Sequence, residues 1–106
     1  MAKKILQEPT KSSREKLTEV SQKFKIKNEL GLHARAAALF VKVASRFQSD
    51  IFVSKGSIEA NGKSIMGILM LAAAQGSQIN VTTKGPDAPK ALKELGDLIE
   101  RGFDET

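Results

Sequence analysis

Residues 88–99 constrain this chain more than any other stretch. Ala88, Ala91, Leu92, Leu95, Leu98 and Ile99 fall at i, i+3, i+4, i+7, i+10 and i+11, so a helix gathers all six on one stripe. Gly85-Pro86-Asp87 turns into that helix, with Asp87 as its N-cap candidate and Pro89 in its first turn. Gly96 is expected on the exposed face, where it weakens the helix slightly. A helix with one apolar stripe has to lie on a second layer.

Short runs of period two supply that layer. Phe24 and Ile26 alternate with Lys25 and Lys27. From Asp50 to Lys55, Ile51 and Val53 share one face and Phe52 takes the other. Gly56 makes a tight turn into a third strand, Ser57 to Ala60, led by Ile58 and Ala60, and Asn61-Gly62 breaks the chain. Gln78 to Thr83 alternates Ile79, Val81 and Thr83.

Two further helices are expected. Ala37, Phe40, Val41 and Ala44 give one apolar face to a helix that begins just beyond His33 and ends near Arg46 or Phe47. A short apolar helix runs from Ser64 to about Leu71, with Ile68 and Leu71 facing the core, and Gln75-Gly76 ends it. The order β-α-β-β-α-β-α, with one-faced strands and one-striped helices, predicts an α+β fold. Three helices lie on one side of a mostly antiparallel sheet.

Residues 1–22 read as a basic N-terminal extension before a domain of 23–106. Pro9 and the polar run Thr10 to Ser13 read as loop. Ser12-Ser13-Arg14-Glu15 fits a capping box, and Leu17, Val20 and Phe24 follow at helical spacing. A short helix from about Ser13 is one reading, although its apolar face is thin.

Charge narrows the function classes. The net +5 lies wholly in residues 1–27, where eight Lys/Arg face three acids; residues 28–106 hold nine of each. A neutral body with no Tyr or Trp is a poor platform for nucleic acid, so no nucleic-acid partner is expected. The absence of cysteine excludes disulfides and thiolate chemistry, and a single histidine excludes a histidine-rich metal site. No apolar run approaches the roughly 20 residues of a membrane span, so no membrane insertion is expected. The first residues lack the apolar core of a signal peptide, which makes the cytoplasm the default compartment.

The only histidine is His33, within Lys27-Asn28-Glu29-Leu30-Gly31-Leu32-His33-Ala34-Arg35. It sits where a turn meets a helix start, so backbone N–H groups and the helix dipole favour an anion beside the imidazole. Arg35 adds a permanent charge and a bidentate donor. A nucleophilic ring, an arginine and a fan of amides suit a histidine that carries a phosphoryl group. No serine or carboxylate is placed by motif to make His33 part of a hydrolase. Downstream, Ser64 is an N-cap candidate for the short helix. Ile65, Met66, Leu69 and Met70 exceed what one face of so short a helix can bury.

With both motifs in hand, the chain resembles the HPr family, the histidine-containing phosphocarriers of the bacterial phosphoenolpyruvate-dependent phosphotransferase system. The likeness covers about residues 22–104. Gly31-Leu32-His33-Ala34-Arg35 resembles the family's active-site signature, and Lys63-Ser64-Ile65-Met66-Gly67-Ile68 its second signature, around a regulatory serine. The resemblance implies an open-faced β-sandwich of four antiparallel strands with three helices on one face. It implies that His33 accepts phosphate on Nδ1 from phosphorylated enzyme I and passes it to enzyme IIA domains. Arg35 and the amides of Ala34 to Ala36 would bind the phosphate, with no metal or cofactor. Ser64 would be the target of an HPr kinase/phosphorylase, and Ile65, Met66 and Leu69, rimmed by Lys63, Arg35 and Arg46, the partner-docking patch. Such a protein is a substrate of its partners more than an enzyme.

The chain departs from the family pattern at Ala36, where proline is usual. Alanine is the best helix former and adds an amide donor, so the site is expected to survive. The alternative reading is a regulatory adaptor of the same fold, acting in carbon or nitrogen signalling through Ser64 and the docking patch without sugar transport.

Overall fold

The computed structural model describes residues 18–105. Seven elements follow in order: β1 (Glu19–Lys25), α1 (Ala34–Ala44), β2 (Asp50–Lys55), β3 (Ile58–Asn61), α2 (Ile65–Met70), β4 (Gln78–Lys84) and α3 (Ala88–Glu100). A 3₁₀ turn, Gly102–Asp104, follows α3 and leads into Glu105. No helix among the described residues is long and apolar enough to cross a membrane.

The four strands form one antiparallel sheet in the order β1-β4-β2-β3. Strand β4 is central because its alternation serves two neighbours. Val81 lies opposite Gln22 on one side and Val53 on the other, and Lys84 lies between Glu19 and Asp50. Opposite charges in such cross-strand positions favour this register over a slip. The inward residues of the sheet, Phe24, Ile51, Val53, Ile79 and Val81, are buried under the three helices. From above, Phe40 of α1, Ile68 of α2 and Leu95, Leu98 and Ile99 of α3 close one core.

Strand β1 starts earlier than expected. Residues 19–22 pair with β4 through Glu19↔Lys84 to Gln22↔Val81, so the expected boundary after residue 22 falls inside the strand. Val20 and Phe24, read as helix-face positions, point inward from β1 instead. Helical spacing is outcompeted here by a complete antiparallel ladder. The capping box and Leu17 lie outside the described residues. Strand β3 is a short edge strand, and Ile58 at its turn end is 51% exposed rather than inward.

Helix α3 holds two departures. Gly96 is buried, and a Cβ there would stand 2.7 Å from Phe24 Cζ, so its lack of a side chain is a packing requirement. Asp87 occupies the N-cap position without capping. Its carboxylate accepts from the Gln48 and Ser49 amides at 3.0 Å each and from Ser49 Oγ at 2.5 Å. It therefore ties the α1–β2 loop to the start of α3. Desolvation opposes the charge, yet the Ser49 hydroxyl and these amides hold the Asp87 carboxyl below its usual range.

The turn after α3 is strained on purpose. Gly102, Phe103 and Asp104 all have left-handed φ, at 65°, 57° and 60°. Each non-glycine residue there costs about 1–2 kcal/mol. Phe103 is fully buried, which returns roughly 2–3 kcal/mol. The chain is thereby reversed, and Glu105 is directed back toward the start of α1.

Candidate functional site

The turn before α1 is built from two constraints. Gly31 has φ of +68°, and a Cβ there would lie 2.5 Å from the Ala73 carbonyl oxygen. That same oxygen accepts the Leu32 amide at 2.9 Å. Only glycine allows the two backbones to meet so closely. The contact pins the loop in front of His33 to the segment after α2.

His33 is the N-cap residue of α1, with extended backbone. Its carbonyl accepts the Ala37 amide at 2.8 Å, the first turn of the helix. Its Nδ1 accepts from the Arg35 amide at 3.4 Å, so the ring substitutes for the oxygen of an ordinary cap. The first turn of α1 contains no acidic residue, and its positive end is left for an external anion. A ring whose Nδ1 accepts a hydrogen bond carries its hydrogen on Nε2.

That second nitrogen has a partner the sequence did not suggest. His33 Nε2 lies 2.5 Å from Glu105 Oε2, and Arg35 Nη2 lies 3.5 Å from the same oxygen. The other oxygen, Oε1, accepts from Asn28 Nδ2 at 2.9 Å. The Glu105 side chain is only 14% exposed and that of His33 26%, whereas Arg35 reaches into solvent at 73%. The Asn28 amide is the main cause that holds the Glu105 carboxyl below the usual carboxylate range. Desolvation opposes it, and His33 and Arg35 add to it.

The structure thus brings His33 and Arg35 together and adds Asn28 and Glu105. Ala34 is exposed at the start of α1, and Ala36 is buried under it. The position where the family usually has proline is therefore a packed core site that a small side chain fills. An open cleft beside Arg35 is lined by Leu30, Leu39, Phe103 and the charges of Lys27, Glu29, Asp104 and Glu105. Among the described residues no group of three His, Cys, Asp or Glu side chains could hold a metal.

Ser64 caps α2, its Oγ accepting the Gly67 amide at 3.0 Å. Ile68 and Leu71 are buried, Ile65 and Met66 are exposed with Met70, and Leu69 is half-buried. Helix α2 packs against α1, so these side chains stand on the helical layer that carries His33. Lys63 does not simply rim the patch: its ammonium donates to the Phe47 carbonyl at 2.8 Å.

Comparison with known proteins shows the family and the fold. Residues 20–101 match the family described as PTS HPr component phosphorylation site. A phosphocarrier protein HPr of Neisseria meningitidis is 48% identical over 86 residues, covering 81% of this chain and 97% of the relative. The HPr-like protein Crh of Bacillus subtilis is 41% identical over 81 residues, covering 76% and 95%. The crystal structure of an HPr from Thermoanaerobacter tengcongensis superposes with a TM-score of 0.77 at 48% identity, covering 85% of this chain and 99% of that one. Family match, fold and the paired signatures lead to one conclusion: the chain belongs to the HPr family of phosphotransferase-system phosphocarriers.

Proposed function

We propose that His33 accepts a phosphoryl group on Nδ1 from phosphorylated enzyme I and passes it to enzyme IIA domains, for sugar uptake or regulation. One observation carries the reading: Glu105 engages Nε2, while Nδ1 faces the N-terminus of a helix with no acid in its first turn. An incoming phosphoryl group would take the place of the Arg35 amide's weak bond to Nδ1. The amides of Ala34, Arg35 and Ala36 and the Arg35 guanidinium would then be its donors. The chain itself supplies a nucleophile and an anion cradle, and the remaining catalysis resides in its partners. Ile65, Met66 and Leu69 form the docking patch in this reading; exposed apolar side chains and flexible methionines suit a small, transient interface in the cytoplasm.

The test is phosphorylation with phosphoenolpyruvate, magnesium and a bacterial enzyme I, read by intact mass before and after mild acid. One phosphate is gained, lost in acid and absent in His33→Ala. A His33→Ala protein that still takes phosphate from enzyme I overturns the site assignment.

A second reading, a regulatory adaptor worked through Ser64, is favoured by the likeness to Crh, whose solved structure is described as the Bacillus subtilis catabolite repression HPr. A phosphate on Ser64, placed by an HPr kinase/phosphorylase, would put about −1.5 to −2 charge beside Ile65 and Met66 and hinder apolar or acidic partners. Signalling measured in His33→Ala and in Ser64→Ala separates the two: only the adaptor reading expects it to persist when His33 is replaced and to be lost when Ser64 is.

A further inference from the structure

Asn28 is buried beneath the active turn, yet it is polar and pays for it. Its Nδ2 donates to the Gly31 carbonyl at 2.7 Å and to Glu105 Oε1 at 2.9 Å. Its Oδ1 is buried with no hydrogen-bond partner among the described residues. Both neighbours of Nδ2 are acceptors, so the amide cannot be turned over without setting oxygen against oxygen. An apolar residue would fill this space and leave no orphaned acceptor. What Asn28 supplies is its two N–H donors, one to the turn that carries His33 and one to the tail that carries Glu105.

We propose that Asn28 is a positioning residue that acts through Glu105, clamping its carboxylate so that His33 Nε2 keeps a hydrogen and Nδ1 keeps the lone pair. Of the charges lining the adjoining cleft, Lys27 is engaged by Glu100 at 3.1 Å and Asp104 by Arg101 at 2.7 Å. Glu29 makes no ion pair among the described residues, and Arg35 carries the wrong sign to accept the Nε2 hydrogen. Glu105 is the carboxylate that reaches the ring.

The clamp bears on both directions of transfer, and this half of the inference rests on the phosphocarrier reading. In acceptance, the Nδ1 lone pair forms a bond to phosphorus as the donor's bond breaks and the donor keeps that electron pair. Nε2 retains its hydrogen, and the ring becomes a cation held against the Glu105 carboxylate. In donation, the Nδ1–P bond breaks, its pair returns to Nδ1, and the leaving group is neutral imidazole. Loss of the Nε2 hydrogen would instead require an imidazolate to leave, which is far harder. No proton is gained or lost overall.

The tautomer half stands without any phosphate and is tested on the full chain with 15N-labelled histidine. Ring spectra are recorded at alkaline pH, with the imidazole neutral, for the unaltered protein and for Asn28→Ala, Asn28→Asp and Glu105→Gln. The expected result is a single Nε2–H pattern in the unaltered protein and a mixed pattern in each variant. Asn28→Asp keeps the volume and loses the donors, so it separates hydrogen bonding from packing. Asn28→Ala in the Glu105→Gln background is expected to add nothing, because Asn28 works through that carboxylate. An unchanged ring pattern in the folded Asn28 variants, or additive effects in the double variant, overturns the proposal. If neither Asn28 variant folds, an unchanged pattern in Glu105→Gln overturns it.

Phosphorylation of the same proteins by enzyme I completes the test. Asn28→Ala is expected to slow turnover roughly tenfold, the low end of what loss of an outer partner costs at a metal-bound histidine, with KM for this substrate little changed. An unaltered chain that takes no phosphate but shows the ring signature, lost in Asn28→Ala, removes the carrier reading and leaves the clamp. A chain that takes phosphate with ring and rate unchanged in Asn28→Ala does the reverse.

Discussion

His33 Nε2 and Glu105 Oε2 lie 2.5 Å apart although seventy-two positions separate them in the chain. The contact joins the first turn of α1 to the far side of α3, and it makes the histidine's second nitrogen part of the fold.

Because the Glu105 carboxyl is held below its ordinary value of 4.5, its contribution to stability is present above that pH and is lost as pH falls through the lower folded value. Urea midpoints measured from neutral to acid pH are expected to decline less steeply below about 4.5 in Glu105→Gln than in the unaltered protein. Parallel curves would remove the carboxylate from the acid limb.

Gly31→Ala meets two penalties at once, a left-handed φ and a Cβ 2.5 Å from the Ala73 carbonyl. A loss of about 2 kcal/mol or more in urea unfolding is expected. Since that carbonyl also holds Leu32, the phosphoryl acceptance proposed for His33 should fall even below the unfolding transition.

Gly96→Ala would ordinarily strengthen a helix by about 1 kcal/mol. Here a methyl group would press on the Phe24 ring, so a net loss of roughly 1–2 kcal/mol is expected. Combining it with Phe24→Leu should recover part of that loss; a stabilised single variant would show that the ring gives way freely.

Asp87→Ala removes the acceptor of two loop amides and the Ser49 hydroxyl. Thermal or urea unfolding should register about 1.5–3 kcal/mol, with Asp87→Asn intermediate. The helix itself should be little changed, because this side chain never capped it.

Much of this was legible in the chain because local pattern and global fold agree. The alternation of Ile79, Val81 and Thr83, the stripe of α3 and the glycine turn before His33 each say locally what the sheet and the helical layer need. The misreadings share another origin. Gly96 borders the apolar stripe, four residues after Leu92 and three before Ile99, but a glycine adds nothing to an apolar pattern, so its burial shows only when Phe24 of β1 is brought against it. Val20 has helical spacing to Phe24, but β4 offers it a ladder. Asn28 and Glu105 carry no motif, and their meeting depends on three successive left-handed residues that periodicity does not reveal. The visible signals were a glycine just past the C-cap of the last helix and an acidic pair beyond it, Asp104 and Glu105.

Phe103 now takes on another meaning. It is buried two residues before Glu105, so the backbone of the tail cannot peel away from α1 without exposing a phenylalanine, although the Glu105 side chain can still turn. Roughly 2–3 kcal/mol of hydrophobic burial therefore keeps the backbone of the tail beside α1, where Asn28 can hold the carboxylate. Hydrophobic burial does not fade as salt shortens the reach of charge. Strong ionic strength is expected to leave the His33–Glu105 contact intact, and Phe103→Ala to release it in dilute buffer. The electrostatics of the histidine rest on an oily anchor.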